Sequence, residues 1–205
     1  MRVVKPLVFA AMCAPLGLLV FRAFSGGLGA NPIDRITDDT GTMALRSLVL
    51  TLAVTPVRRI SGWNDVIKLR RMLGLFAFTY AALHFLTYIV LDQFFDWQTI
   101  SGDLTKRPYI IAGFTGFVLM LPLAITSTTG WIRRLGGRAW QRLHRLAYVS
   151  AVAGVVHYWW LVKADIRFPR RYAIAVAVLL AARAWYAWRK RQARGTVPVP
   201  TATSA

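Results

Sequence analysis

At 205 residues, with 56% hydrophobic side chains and eight Trp, the chain is too apolar for a soluble domain of its length. Its formal net charge of +18, from 26 Lys+Arg against 8 Asp+Glu, would in a soluble protein suggest nucleic acid. The bases cluster between apolar runs instead, so the charge orients the chain in a bilayer and meets anionic lipid head groups, and no nucleic-acid partner is expected.

The first apolar run, Pro6–Phe21, predicts a span over residues 6–24. Arg2, Lys5 and the following SGGLGA also fit a signal peptide, whose removal would leave five spans; the retained helix is the reading adopted. Cys13 stands alone in this run, which excludes a disulfide framework or a cysteine metal site. Thr42–Val57 predicts a second span, 42–60, with Arg46 near an end where its long side chain can snorkel to the interface. Met72–Leu91 and Tyr109–Ile132 contain no formal charge and predict spans 71–91 and 109–129. Leu146–Val162 and Tyr172–Trp188, the latter carrying Arg183, predict spans 143–162 and 172–189. A bilayer core takes about 20 residues of helix, so residues 1–194 read as an all-α polytopic bundle of six transmembrane helices. TVPVPTATSA has no apolar periodicity and reads, with Gly195, as a disordered tail, 195–205.

Arg58, Arg59, Lys68, Arg70 and Arg71 lie between the second and third runs, and Arg133, Arg134, Arg138, Arg142 and Arg145 between the fourth and fifth. The alternate connections hold Asp34, Asp38, Asp39, Asp92, Asp96 and Asp103. Cytoplasmic loops are rich in Lys and Arg, which puts both termini inside. KADIRFPRR breaks the pattern, with Lys163, Arg167, Arg170 and Arg171 on the outer side. It reads either as a membrane anchor or as a docking patch for an acidic partner.

All three histidines fall in apolar runs: His84, His144 and His157. Ionisable residues within membrane helices face the bundle interior and mark sites. His84 stands thirteen residues beyond Arg71, and His157 thirteen beyond His144, roughly 20 Å in each case along helices running outward. Tyr158, Trp159 and Trp160 mark the outer interface just past His157. His84 and His157 therefore reach similar depth on helices that can be neighbours, where two neutral imidazoles can clamp a haem iron from both sides. Zinc would want further protein ligands at that depth, and none is available. His144 lies roughly 140° from the azimuth of His157 on an ideal helix, an offset that a bulge near Gly154 would reduce. It is open to a second haem, another inner cofactor or quinol, or a hydrogen-bonding role. Arg70, Arg71, Arg142 and Arg145 offer anion contacts there.

LRRMLGLFAFTYAALHFLTYIVLD, TKRPYIIAGF, TSTTGWIRRLGGRAWQRLHRLAYV and HYWWLVKADIRFP, with TGTMALRSLVLTLAVTPVRR, together resemble the MsrQ (YedZ) family over roughly residues 30 to 170. These are haem-binding membrane subunits of the bacterial periplasmic methionine-sulfoxide reductase system, within the wider ferric-reductase-like transmembrane superfamily. The resemblance implies six helices in the inner membrane and haem b, one or two, with FMN as a further cofactor. It implies electrons taken from the quinone pool or a cytoplasmic flavin reductase and delivered to a periplasmic molybdopterin subunit, MsrP, where the sulfoxide is reduced. The family's functional histidines map onto His84, His144 and His157. The wider superfamily often has two histidines on each of two helices, and Arg71 stands where a fourth would fall; with Arg145 it is assigned to the inner cofactor site. The chain is thus expected to be an oxidoreductase electron-transfer subunit. Two alternatives remain at this stage: a stand-alone transmembrane metalloreductase, and a cofactor-free transporter or assembly factor.

Overall fold

The computed structural model describes residues 1–195, and among them every regular element is helical. Helix α1 covers Val4–Phe24 and α2 Pro32–Ser61; a 3-10 turn, Asn64–Leu69, leads into α3, Arg70–Leu86, which continues as a π-helical segment, Thr87–Asp92. A short α4, Trp97–Lys106, precedes α5, Pro108–Ile125. Helices α6, Thr129–Leu135, and α7, Gly137–Leu143, fold the next connection, and α8, Leu146–Leu161, and α9, Arg167–Gly195, complete the bundle. The expected tail lies outside the described residues apart from Gly195, which ends α9.

Among the described residues, four helical stretches are long and apolar enough to cross a membrane: Val4–Phe24, Pro32–Ser61, Asn64–Asp92 and Pro108–Ile125. Helix α8 has 16 residues, roughly 24 Å, and α9 interrupts its apolar stretch with Arg183; both pack alongside α2. Large apolar side chains cover the outside, Phe21, Phe24, Ile60, Val178 and Trp185 among them, an exposure a soluble monomer does not show. The chain is an all-α membrane protein.

Helix α2 begins ten residues before its apolar run. Pro32 sets the first turn, Arg35 pairs with Asp39 at 3.0 Å, and the Thr37 and Thr40 hydroxyls donate to carbonyls of the preceding turn. A polar sequence can therefore stay helical, and 30 residues make a rod of about 45 Å, longer than the roughly 30 Å hydrocarbon core.

The most extensive packing joins α2 to α3 and α5 to α8. A Cβ on Gly116 would lie 3.4 Å from the Ala153 Cβ and 3.5 Å from the Ser150 carbonyl, and Ala151 is fully buried. Small residues let membrane helices approach closely where burial supplies no hydrophobic gain. The Tyr80 hydroxyl ties α3 to α1 by donating to the Met12 carbonyl at 2.6 Å. At the base-rich end, Pro56 has no N–H for the carbonyl of Leu52 four residues earlier. Arg183 of α9 supplies the missing donor, Nη2 to Leu52 O at 2.7 Å, and its Nη1 donates to the Tyr148 hydroxyl at 2.7 Å.

Candidate cofactor site

His84 sits near the end of α3 and His157 near the end of α8, and the bundle brings their rings to 6.0 Å between centroids with planes at 78°. One device is used twice to place them. His84 Nδ1 lies 3.0 Å from the Thr37 carbonyl of α2, and His157 Nδ1 lies 2.7 Å from the Tyr109 carbonyl of α5. A carbonyl only accepts, so each Nδ1 carries the hydrogen and each Nε2 keeps its lone pair. Four residues beyond each carbonyl comes a glycine. A Cβ on Gly41 would fall 2.9 Å from the His84 ring, and one on Gly113 would fall 2.6 Å from His157 Nδ1. Each imidazole thus rests against a bare stretch of the helix that receives its hydrogen bond.

His144 is built differently. It occupies the turn between α7 and α8, its Nδ1 is 3.1 Å from the Trp140 carbonyl one turn back, and its ring stacks on Trp140 at 3.8 Å. Trp140 is in turn fixed by donating from Nε1 to the Thr126 carbonyl at 2.9 Å. His144 Nε2 is buried on the side of the ring that faces the Leu123 backbone of α5, with no partner in good hydrogen-bond geometry. The break at His144 and Arg145 replaces the bulge considered at Gly154, through which α8 runs as regular α-helix. Arg71 and Arg145 are exposed, and Arg70, half-buried, is the arginine within electrostatic range of His144. Among the described residues no group of three or more His, Cys, Asp or Glu could hold a metal ion.

Thr37, Gly41, Tyr109 and Gly113 are the positions sequence reasoning passed over. Their signal is the repeated spacing of a glycine four residues after the accepting carbonyl, which has no meaning until the histidine opposite is known. On the loop between α8 and α9, the Arg167 side chain grips Asp165 through three contacts, Nε to Oδ1 at 2.9 Å and to Oδ2 at 3.1 Å, and Nη2 to Oδ2 at 2.8 Å. That hydrogen bonding, from the Arg167 side chain first, holds the Asp165 carboxyl down to about 2. The Arg171 guanidinium lies over the Phe168 ring at 5.4 Å.

The two helical pairs fall largely within residues 40–155, the stretch over which the model of the family described as "Ferric reductase like transmembrane component" matches the chain. Three similar proteins narrow this. The chain is 52% identical over 190 residues to the "Protein-methionine-sulfoxide reductase heme-binding subunit MsrQ" of Herminiimonas arsenicoxydans, covering 92% of this chain and 87% of that one. The MsrQ proteins of Caulobacter vibrioides, 48% identical over 91% of this chain and 87% of theirs, and Ralstonia nicotianae, 47% over 97% and 94%, agree with it. The chain belongs to the MsrQ family.

Proposed function

We propose that this protein is a haem b-binding electron-transfer subunit of the bacterial inner membrane, with His84 and His157 as axial ligands. The observation that carries the reading is the pair of imidazoles 6.0 Å apart, each with Nδ1 engaged and Nε2 free for a metal. Two metal–imidazole bonds of about 2 Å with two ring radii of about 1 Å sum to roughly 6 Å, so the spacing fits one iron between the rings. The similar proteins of three bacteria carry "heme-binding subunit" in their names. When bound, haem b would supply a one-electron carrier, and His84 and His157 together would hold its iron, which suits electron transfer rather than substrate binding. The chain's part is to fix the ligands: donation to the Thr37 and Tyr109 carbonyls sets ring orientation and raises the basicity of each Nε2.

His144, Arg71 and Arg145 belong on this reading to an inner cofactor site, for a second haem or the phosphate of FMN; the burial of the His144 Nε2 at this end supports it. Electrons arrive there from the quinone pool or a cytoplasmic flavin reductase and leave on the outer side for the molybdopterin subunit MsrP, which reduces methionine sulfoxide. Six spans, α1, α2, α3 with its extension, α5, α8 and α9, put both termini in the cytoplasm, as the charge map requires. A reporter fused after Arg194 reads cytoplasmic under this topology; an external reading overturns it.

The central test is a reduced-minus-oxidised spectrum of the purified protein with pyridine haemochrome quantitation, compared with His84→Ala. The expected result is a low-spin b-type spectrum that the substitution abolishes. A colourless protein, or an undiminished spectrum in His84→Ala, overturns the assignment.

A further inference from the structure

Where α2, α8 and α9 meet at the base-rich end, they enclose a pocket of about 260 Å³ whose polar lining is Thr55, Arg59, Tyr148, Arg183, Tyr186 and Lys190. It contains none of the three histidines. The Arg183 guanidinium is half-buried and held by neutral groups alone, the Leu52 carbonyl and the Tyr148 hydroxyl, with its Cζ 5.0 Å from the centroid of the Tyr148 ring. Its Nε is buried without a hydrogen-bond partner, and so is Thr55 Oγ1 in the same lining. Arg59 is steadied over the Tyr186 ring at 4.5 Å and lies within electrostatic range of Arg183.

Among the described residues no carboxylate comes within ion-pair distance of Arg59, Arg183 or Lys190. Of the eight acidic residues only Asp65 lies in a connection at this end, and Lys68 holds it at 2.6 Å. A half-buried cation without a counter-charge is costly, and buried polar atoms without partners are rare in native structures. One anion with several acceptor oxygens answers both costs at once. Trp185 and Trp188, exposed beside the pocket on α9, mark the depth of the interface, where lipid phosphates lie.

We propose that Arg59, Arg183 and Lys190, with Thr55 and Tyr148, form a binding site for a phosphate group at the base-rich end of the bundle. Arg183 anchors it, because its position is fixed by the gap that Pro56 leaves in α2. Arg59 and Lys190 close over the group from the exposed side. The phosphate belongs either to an anionic phospholipid or to a soluble phosphate compound, and both present the same oxygens to the pocket.

The experiment uses the full chain, stripped of lipid in dodecyl maltoside. It is titrated with phosphatidylglycerol in the same micelles and, separately, with inorganic phosphate, following tryptophan fluorescence and the thermal midpoint. Arg59→Gln with Lys190→Gln is the comparison, since both side chains are exposed and neither makes the bonds of Arg183 to Leu52 and Tyr148; its circular dichroism should match the wild type. Saturable binding by the wild type that weakens about tenfold or more in the double variant is expected. Binding of phosphatidylglycerol alone identifies the source as lipid, and binding of both identifies soluble phosphate compounds as occupants too. The proposal is overturned if neither ligand binds the wild type saturably, or if the double variant binds as tightly.

Discussion

The two histidines associated with α8 are held in opposite ways. His157 is fixed from outside its own helix: the Tyr109 carbonyl on α5 takes its Nδ1 at 2.7 Å, and Gly113 leaves room for the ring. His144 is held mainly by its own segment, through the Trp140 carbonyl and the stacked Trp140 ring, which the Thr126 carbonyl at the end of α5 steadies in turn, and no second helix aligns it with another histidine. The His84–His157 pair is therefore set by the packing of two helix pairs, while His144 is set chiefly by a local turn. Geometry that depends on packing is fixed as closely as the helices are, and it fails when they are forced apart. Geometry that depends on a turn survives such changes and tolerates a variable partner.

The largest expected effect comes from forcing the outer packing apart. Gly113→Ala puts a methyl 2.6 Å from His157 Nδ1, so the ring must leave its hydrogen bond. Loss of such an orienting contact typically costs about 10- to 100-fold in metal affinity, and haem retention on dilution should fall accordingly. Gly102→Ala, with nothing within 4 Å of the added carbon, is the control. Wild-type retention in Gly113→Ala would remove glycine from the account of the site.

A smaller effect is expected at the inner end. His144→Ala should leave the outer low-spin spectrum in place while slowing reduction by the cytoplasmic-side donor several-fold. An unchanged rate at full haem content would make His144 a packing residue beneath Trp140. The comparison between the ends would then be one of site against scaffold.

The smallest effect is expected on the loop between α8 and α9, where the proposed function has electrons leave. With Arg167 committed to Asp165, Lys163 and Arg170 carry the loop's steering charge. Lys163→Glu with Arg170→Glu should slow delivery to the external molybdoprotein by a few-fold at low salt and flatten its salt dependence. The Asp165 carboxyl is lowered to about 2, so it stays ionised as pH falls until that value is approached. The loop's charge, and this rate contribution, should accordingly be flat from about pH 5 to 8. A wild-type rate at low ionic strength leaves the loop as an anchor.

The histidines were legible in the sequence because charge and depth are both one-dimensional: counting thirteen residues outward from Arg71 and from His144 brings His84 and His157 level. The helical class was legible from apolar runs for the same reason. Residues 32–41 were not, since Asp34, Asp38 and Asp39 look like a loop, and the side-chain bonds that keep α2 helical appear only once it is folded. Nor were α4 and α6, whose capping by Asp96 and Thr128 is local, or α7, which starts from Gly136 without a side-chain cap; all three fall in stretches too polar or too short to carry an apolar period. The pairing of Arg183 with the carbonyl freed by Pro56 joins positions 131 residues apart, a relation no local pattern contains.

One consequence concerns the order in which the protein is made. The residues that hold the His84 ring, Thr37 and Gly41, precede it in the chain, and those that hold His157, Tyr109 and Gly113, precede that one. Each imidazole therefore meets its finished cradle as soon as its own helix enters the membrane, and neither waits for the other. The first half-site is complete before α5 has been synthesised, and the second closes on it only when α8 arrives. On the proposed function, biogenesis then offers the cofactor an open, one-sided ligand before the clamp shuts, so loading can accompany insertion rather than require the finished bundle to reopen.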